Sequence, residues 1–295
     1  MKRKMYSLGL TGHPLFHSLS PTLHNTALRA LGLEGEYRLY PVPPLPKGAE
    51  TLAGLLARAR RGEIHGLNVT IPHKQNAIPL LDDLTPATRA IGAANTIFRQ
   101  GDRILGDNTD APGFLADLKH FLANNTQYPI PNTQSALILG AGGSARAVAY
   151  ALLTHGWHIT LAARRPEQAQ ALSEQLLVNS SQSPVTHRSI RAVQLPITNY
   201  QLPVNLIVNT TPLGMSPHTA GSPWPGDLPF PPNAAVYDLV YNPRETTLVR
   251  RARAAGLPAV TGLGMLIEQA ALAFERWTGR PAPRAAMWQA VSTDH

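Results

Sequence analysis

The sequence predicts an α/β protein with two domains, an N-terminal α/β domain and a Rossmann-type nucleotide-binding domain. Short apolar runs alternate with segments of helical periodicity along the chain, which is the pattern of strand–helix units. A glycine-rich turn in the middle of the chain joins one such run to a helix. The length of 295 residues is sufficient for two domains of ordinary size.

The glycine-rich turn lies within residues 136–150, ALILGAGGSARAVAY. The continuous apolar run 136–139 predicts a strand buried on both faces, and 145–153 predicts a helix. The pattern G-x-G-x-x-A stands between them and comprises Gly140, Ala141, Gly142, Gly143, Ser144 and Ala145. The first glycine permits a tight turn, the second lets a pyrophosphate approach the backbone, and the alanine lets the helix pack closely on the strand. The amides of the first helical turn would face the phosphates, so we predict dinucleotide binding here.

The end of the next predicted strand, 158–163, indicates which dinucleotide is bound. An NAD site normally carries Asp or Glu at this point, where the carboxylate accepts from the ribose 2′-hydroxyl. This chain has Arg164 and Arg165 instead. Two guanidinium groups suit the 2′-phosphate of NADP, so the sequence favours NADP as the cofactor. The alternative is a pair of surface arginines that open a helix.

Composition limits the classes of function. The chain has no cysteine, which excludes disulfides, thiolate metal sites and cysteine nucleophiles and is compatible with the cytoplasm. The net charge of +8 is compatible with nucleic-acid binding, but the basic residues are spread along the chain, and attraction to anionic small molecules explains the charge as well. No apolar run is long enough to span a membrane. We therefore expect a cytoplasmic protein with a small-molecule substrate and no nucleic-acid or membrane partner.

Polar residues gather near predicted strand ends in the N-terminal half. Ser18 and Ser20 precede a predicted helix at 21–31 and could direct two hydroxyls at a carboxylate, although Ser20 before a proline also fits a simple N-cap. A strand that begins at Gly66 and ends at a proline would bring three polar residues to the ligand edge of a parallel sheet. These residues are Asn68, Thr70 and Lys74.

These motifs, together with others further along, resemble the shikimate dehydrogenase family over residues 6–277. The matching stretches are Ser18-Leu-Ser20-Pro-x-x-His24-Asn25, Asn68-Val-Thr70-x-Pro72-x-Lys74, Gly92-Ala-Ala-Asn95-Thr96, Gly106-Asp-Asn-Thr109-Asp110, Gly140-Ala-Gly-Gly143, Asn209-Thr-Thr-Pro-Leu-Gly214-Met215, Tyr237-Asp238-x-x-Tyr241-Asn-Pro243 and Gly262-x-Gly264-Met265-Leu-x-x-Gln269. So many motifs in the same order are far more specific than the glycine turn alone.

The resemblance implies an N-terminal substrate domain over 1–112, completed by C-terminal helices within 264–295, and an inserted NADP-binding domain over 113–263. It also implies the reversible reduction of 3-dehydroshikimate to shikimate with NADPH, in aromatic amino-acid biosynthesis. We expect a monomer or a homodimer.

The resemblance further implies the roles of particular residues. Lys74 would donate a proton to the forming alkoxide, and Asp110 would orient Lys74 and balance its charge. The substrate-binding residues would be Ser18, Ser20, Asn68, Thr70, Asn95, Tyr241 and Gln269. The cofactor-binding residues would be Gly140, Ala141, Gly142, Gly143, Ser144, Arg164, Arg165, Thr210, Leu239 and Gly262. Where the family usually has Asn-Arg-Thr and a further arginine three residues later, this chain has Ala163-Arg164-Arg165 and Gln168.

Two other functions stay open at this point. One is a catabolic quinate/shikimate dehydrogenase, which often uses NAD, although Arg164 and Arg165 argue against it. The other is a non-catalytic nucleotide-binding regulator, which could bind nucleic acid, although Lys74 and Asp110 argue against it. No histidine or carboxylate spacing around His24 or His73 supports a metal site, so no metal is expected.

Overall fold

The computed structural model describes residues 5–125, 134–180, 189–197 and 204–292. The chain divides into two compact units, of which the first comprises Met1–Gly113 with Ile267–His295 and the second comprises Phe114–Leu266. Each unit has its own six-stranded sheet. Among the described residues, no helix combines the length and the apolar character that crossing a membrane requires.

The sheet of the first unit is mixed. Its strands are β1 (Tyr6–Gly12), β2 (Gly35–Pro41), β3 (Gly66–Val69), β4 (Asp83–Leu84), β5 (Thr96–Gln100) and β6 (Arg103–Asp107). They lie in the order β2-β1-β3-β5-β6-β4. β1 runs parallel to β2 and β3, with Thr11 opposite Val69, whereas β5 runs antiparallel to β3 and β6. The carboxyl ends of β1 and β3 therefore meet at one edge of the sheet, where open α/β sheets bind ligands.

The helices of both units contribute apolar side chains to the buried cores. They are α1 (Ser20–Ala30), α2 (Ala49–Arg60), α3 (Pro86–Ile91), α4 (Asp110–Ala123), α5 (Gly143–Thr154), α6 (Pro166–Ser180), α7 (Thr247–Ala254), α8 (Leu263–Thr278) and α9 (Arg284–Ser292). In the first unit α2 has leucines at positions 52, 55 and 56 on one face, and these belong to a core with Leu67 and Ile97 of the sheet. Each fully buried leucine contributes about 1.5–3 kcal/mol to folding.

The C-terminal part of α8 belongs to the first unit and packs on β3. Trp277 is buried, and its indole nitrogen donates to the Ile97 carbonyl at 2.9 Å. A Cβ on Gly66 would overlap the Trp277 ring, so only glycine permits this close approach. Gln269, two turns earlier on the same helix, lies close to Asn95, the residue that directly precedes β5.

The second unit has a fully parallel sheet. Its strands are β7 (Ser135–Leu139), β8 (His158–Ala163), β9 (Ile190–Gln194), β10 (Leu206–Asn209), β11 (Ala235–Asp238) and β12 (Ala259–Thr261). They lie in the order β9-β8-β7-β10-β11-β12, which is the doubly wound order of Rossmann domains. The order reverses between β7 and β10, where the glycine-rich turn leaves β7. The prediction of an α/β chain with a Rossmann-type unit is confirmed.

Two local predictions differ from the structure. Ser20 is not an N-cap: α1 already begins at Ser20, and Leu19, with φ −81° and ψ −5°, occupies the N-cap position without a side-chain cap. The chain adopts helical dihedrals one residue earlier than the proline suggests.

The helix α7 was not predicted, although Thr246 caps it by accepting from the Val249 amide at 3.2 Å. Its many arginines obscure a short apolar face.

Candidate active site

A buried ion pair lies at the centre of the candidate site in the first unit. Lys74 follows the proline after β3, and Asp110 is the first residue of α4. Lys74 Nζ donates to Asp110 Oδ2 at 2.6 Å, and the two side chains are 12% and 6% exposed. Each of these two buried charges needs the other, because replacing Lys74 or Asp110 would leave a buried charge without an opposite charge beside it, which destabilises the fold. The structure thus brings the two predicted catalytic residues together.

Asn95 holds the other oxygen of the Asp110 carboxylate. Its Nδ2 donates to Asp110 Oδ1 at 2.8 Å, and its Oδ1 accepts from the Thr109 amide at 2.7 Å. Asn95 is only 2% exposed. Because both carboxylate oxygens are bound, Asp110 has a fixed orientation, and so does the ammonium group that it contacts.

Gln269 reaches the same cluster from α8, 174 residues further along the chain. Asn95 Nδ2 lies 3.4 Å from Gln269 Oε1, within hydrogen-bonding reach. The side chain is partly exposed. Asn95 thus gives the Gln269 amide a polar neighbour within an otherwise apolar stretch of α8.

Asn68 lies in β3 and contacts the same group of residues. Its Nδ2 donates to the Asn95 carbonyl and to Thr96 Oγ1, both at 3.1 Å. Its Oδ1 accepts from the Tyr37 hydroxyl at 2.8 Å. The side chain is buried, and every one of these partners belongs to the first unit.

Ser18, Ser20 and Thr70 lie near the carboxyl ends of β1 and β3. Ser18 Oγ accepts from the Ser20 amide at 3.2 Å, so the two serines are joined to each other at the start of α1. The Thr70 amide donates to the Thr11 carbonyl at 2.9 Å, and the Thr70 methyl packs on Gly12. Thr70 and the loop that carries Ser18 therefore belong to the same edge of the sheet.

The glycine-rich turn of the second unit has the geometry that its sequence predicts. Gly140 has φ +119°, a left-handed value that side chains disfavour, and a Cβ there would contact Thr210 Oγ1. Thr210 Oγ1 donates to the Leu139 carbonyl at 2.7 Å, which fixes the chain after β10 beside the turn. A Cβ on Gly142 would meet nothing within 4 Å, so the turn is open at the point where a pyrophosphate would approach. α5 begins at Gly143, so the amides of its first turn point towards this opening.

The other predicted cofactor residues occupy the loops at the same end of this sheet. Arg164 and Arg165 directly follow β8, and both are exposed. Leu239 follows β11 and is partly buried, as is Tyr241, a predicted substrate-binding residue two positions further along. A Cβ on Gly262 would overlap the Leu239 carbonyl, so glycine is needed where the chain after β12 approaches the chain after β11.

Asp238 was not predicted from the sequence as a functional candidate. It is fully buried at the end of β11 and accepts from Asn209 Nδ2 at 2.8 Å and from Thr246 Oγ1 at 2.7 Å. Burial raises the pKa of the Asp238 carboxyl to about 6, and these hydrogen bonds oppose the shift. The carboxyl holds together the loops after β10 and β11. Both Asn209 and Asp238 stand inside quoted motifs, which is the signal that could have identified them.

The histidines that were considered as metal ligands have other surroundings. The His24 ring stacks on Tyr37, and His73 Nε2 lies 2.9 Å from the Val42 carbonyl. Within the described part of the chain, no three histidine, aspartate or glutamate side chains are arranged to hold a metal ion.

A doubly wound sheet with this turn at its switch point is the arrangement of dinucleotide-dependent oxidoreductases, and the Lys74–Asp110 pair supplies a group able to transfer protons. Three family models match parts of the chain. They are the shikimate dehydrogenase substrate binding domain over 10–97, the saccharopine dehydrogenase NADP binding domain over 136–216 and the shikimate 5'-dehydrogenase C-terminal domain over 262–291.

Comparison with individual proteins extends these matches over the whole length. The shikimate dehydrogenase (NADP⁺) of Salinibacter ruber is 42% identical over 97% of this chain and 96% of its own. The crystal structure of shikimate 5-dehydrogenase from Thermus thermophilus with NADP(H) and shikimate is 39% identical, with a TM-score of 0.79, over 97% of this chain and 98% of that one. Quinate dehydrogenase from Corynebacterium glutamicum with NAD is 30% identical, with a TM-score of 0.83, over 99% and 100%. The chain belongs to the shikimate dehydrogenase family.

Proposed function

We propose that this protein is an NADP-dependent shikimate dehydrogenase, which reversibly reduces 3-dehydroshikimate to shikimate in the biosynthesis of chorismate and the aromatic amino acids. The buried Lys74–Asp110 pair is the observation that carries the proposal, because it supplies the proton-transfer group that reduction of a ketone requires. The full-length similarity to NADP⁺-dependent shikimate dehydrogenases supports the substrate and the cofactor.

The residues of the second unit fit NADP. The open turn at Gly142 and the amides at the start of α5 suit the pyrophosphate. Arg164 and Arg165 have exposed guanidinium groups that suit the 2′-phosphate, and Thr210, Leu239 and Gly262 would border the rest of the cofactor. NADPH, when bound, supplies the hydride that reduces the ketone carbon.

Lys74 would supply the proton for the ketone oxygen. As the ketone is reduced, Lys74 Nζ would give its proton to the carbonyl oxygen, which becomes the hydroxyl oxygen of the alcohol. The neutral amine then regains a proton from water. Asp110 holds the Lys74 side chain in place, and Asn95 keeps Asp110 oriented. In the oxidation of shikimate the same amine accepts the hydroxyl proton.

The first unit would bind the substrate. We assign the substrate carboxylate to Ser18 and Ser20, with Tyr241 as a further ligand. The ring hydroxyls would be bound by Asn68, Thr70, Asn95 and Gln269. We also propose residues 1–112 with 264–295 as the substrate domain and 113–263 as the NADP domain, in a cytoplasmic monomer or homodimer.

The test is the absorbance of reduced nicotinamide when purified protein is mixed with shikimate and NADP⁺. We expect turnover, and a kcat/KM at least about tenfold lower for quinate, because its extra hydroxyl would be buried without a partner at a cost of about 1–3 kcal/mol. The similarity to quinate dehydrogenase makes that activity the second candidate. Comparable rates with quinate and NAD⁺ would favour it, and absence of turnover with both acids would favour a non-catalytic protein.

A further inference from the structure

Tyr37 connects the first motif, Ser18–Asn25, to the candidate site. It lies in β2, is 2% exposed, and donates from its hydroxyl to Asn68 Oδ1 at 2.8 Å. Asn68 in turn contacts Asn95, which orients Asp110. The Tyr37 hydroxyl thus contacts a proposed substrate-binding residue, and it can influence which atom of the Asn68 carboxamide faces the substrate.

The orientation of the Asn68 carboxamide follows from its neighbours. The group that faces the Asn95 carbonyl must be Nδ2, because a carbonyl oxygen can only accept. The second Nδ2 hydrogen points to Thr96 Oγ1 at 3.1 Å, so both donors of the amide are used. Oδ1 then faces Tyr37, whose hydroxyl donates to it. Because both Nδ2 hydrogens are used, Asn68 can serve a ligand only as an acceptor, through Oδ1.

Tyr37 itself is held by two residues of the first motif. Asn25 Oδ1 accepts from the Tyr37 amide at 2.8 Å, and Asn25 Nδ2 donates to the Tyr37 carbonyl at 3.2 Å. The His24 ring stacks on the Tyr37 ring with centroids 4.3 Å apart and an angle of 3° between the planes. His24 is completely buried, so this stack has no freedom to slide.

We infer that Tyr37, held by His24 and Asn25, is a positioning residue that fixes the Asn68 carboxamide so that its Oδ1 accepts from a substrate hydroxyl. This inference rests on the proposed function, and it gives the His24-Asn25 end of the first motif a role separate from that of the two serines. Asn68 then favours a hydroxyl over a carbonyl or carboxylate at its position in the substrate, because only a hydroxyl can donate.

The test compares three variants with the wild-type protein. Tyr37→Phe keeps the ring stack and removes only the hydroxyl. We expect the KM for shikimate to rise about three- to tenfold, which is the loss of one neutral hydrogen bond, while kcat and the KM for NADP⁺ stay unchanged. Tyr40→Phe is the matched control, since it makes the same change on the same strand where the ring packs against the α2 core, and it should leave all constants unchanged. In an Asn68→Ala background, Tyr37→Phe should add no further rise.

Three results would overturn the inference. One is an unchanged KM for shikimate in Tyr37→Phe, and another is an equal rise on top of Asn68→Ala, which would mean that Tyr37 acts elsewhere. The third measures binding rather than turnover: a calorimetric titration in which Tyr37→Phe binds shikimate as tightly as the wild-type protein. Weaker binding to Tyr37→Phe supports the inference even if the wild-type protein fails to oxidise shikimate, an outcome that would refute the proposed function alone.

Discussion

Gly113 of α4 packs so closely against Gln269 of α8 that no side chain fits between them. A Cβ on Gly113 would lie 2.7 Å from the Gln269 nitrogen and 2.9 Å from its Cβ. This close approach is what allows Gln269 to come within reach of Asn95. The glycine therefore matters for its small size rather than for an unusual backbone angle.

Gly113→Ala is expected to destabilise the protein. The added methyl group must push α8 away, and overpacking of this kind costs about 1–3 kcal/mol, although alanine recovers about 0.5–1 kcal/mol of helix preference. Urea unfolding measures the change. Gly54→Ala is the control, because a Cβ at that position of α2 meets nothing within 4 Å. Its free energy of unfolding should rise, and a similar rise in Gly113→Ala would contradict the contact.

Lys74→Met should lower kcat by at least about two orders of magnitude, the usual contribution of a general acid–base group, with a much smaller change in the KM for shikimate. Steady-state kinetics in the direction of shikimate oxidation measure both. Lys47→Met removes a lysine from an exposed loop and should leave both constants unchanged. If Lys74→Met retained a normal kcat, the lysine would bind substrate at most.

Replacing Arg164 and Arg165 by glutamine should weaken NADPH binding and barely change NADH binding. Each charge-assisted hydrogen bond to the 2′-phosphate is worth about 1.5–3 kcal/mol, which sets an upper bound for these exposed side chains. Titration of both cofactors by fluorescence or calorimetry provides the comparison. Equal losses for NADPH and NADH would mean that the arginines only shape the start of α6.

Stability should depend on pH through His24. Burial lowers its pKa from 6.5 to about 3, an effect that the nearby Asn68 amide opposes. Below pH 6.5 the unfolded chain therefore gains a proton that the folded protein does not, so this residue reduces stability as the pH falls. From pH 7.5 to pH 5 the loss is about 2 kcal/mol.

Asp238 acts in the opposite direction over part of this range. Its folded pKa is raised from 3.8 to about 6, so its contribution to stability is largest below pH 3.8 and is lost as the pH rises through 6. The wild-type protein should therefore show a partly offset pH dependence. His24→Phe keeps an aromatic ring against Tyr37 and removes the group that titrates. Its free energy of unfolding should therefore fall less than that of the wild type, or rise, as the pH is lowered from 7.5 to 5. The same pH dependence in both proteins would show that His24 is not buried as described.

Local patterns were sufficient to predict much of the second unit. The apolar run, the glycine turn and the helix after it are contiguous in sequence, and each has a physical reason that acts over a few residues. The predicted strand His158–Ala163 is the observed β8, and Gly140 has the tight-turn conformation that its place in the pattern requires. The ordered motifs likewise identified the family before any contact was known.

Only the tertiary structure decided how distant residues combine. Asn95 meets Gln269 across 174 residues, and Tyr37 meets Asn68 across 31, separations that no helical or strand period encodes. Asp238 is an acidic residue at a strand end in the sequence, and only its burial beneath two loops raises the pKa of its carboxyl. Periodicity reports which face of an element is buried. It carries no information on which polar groups of other elements lie opposite, because packing and hydrogen bonding between elements choose those partners.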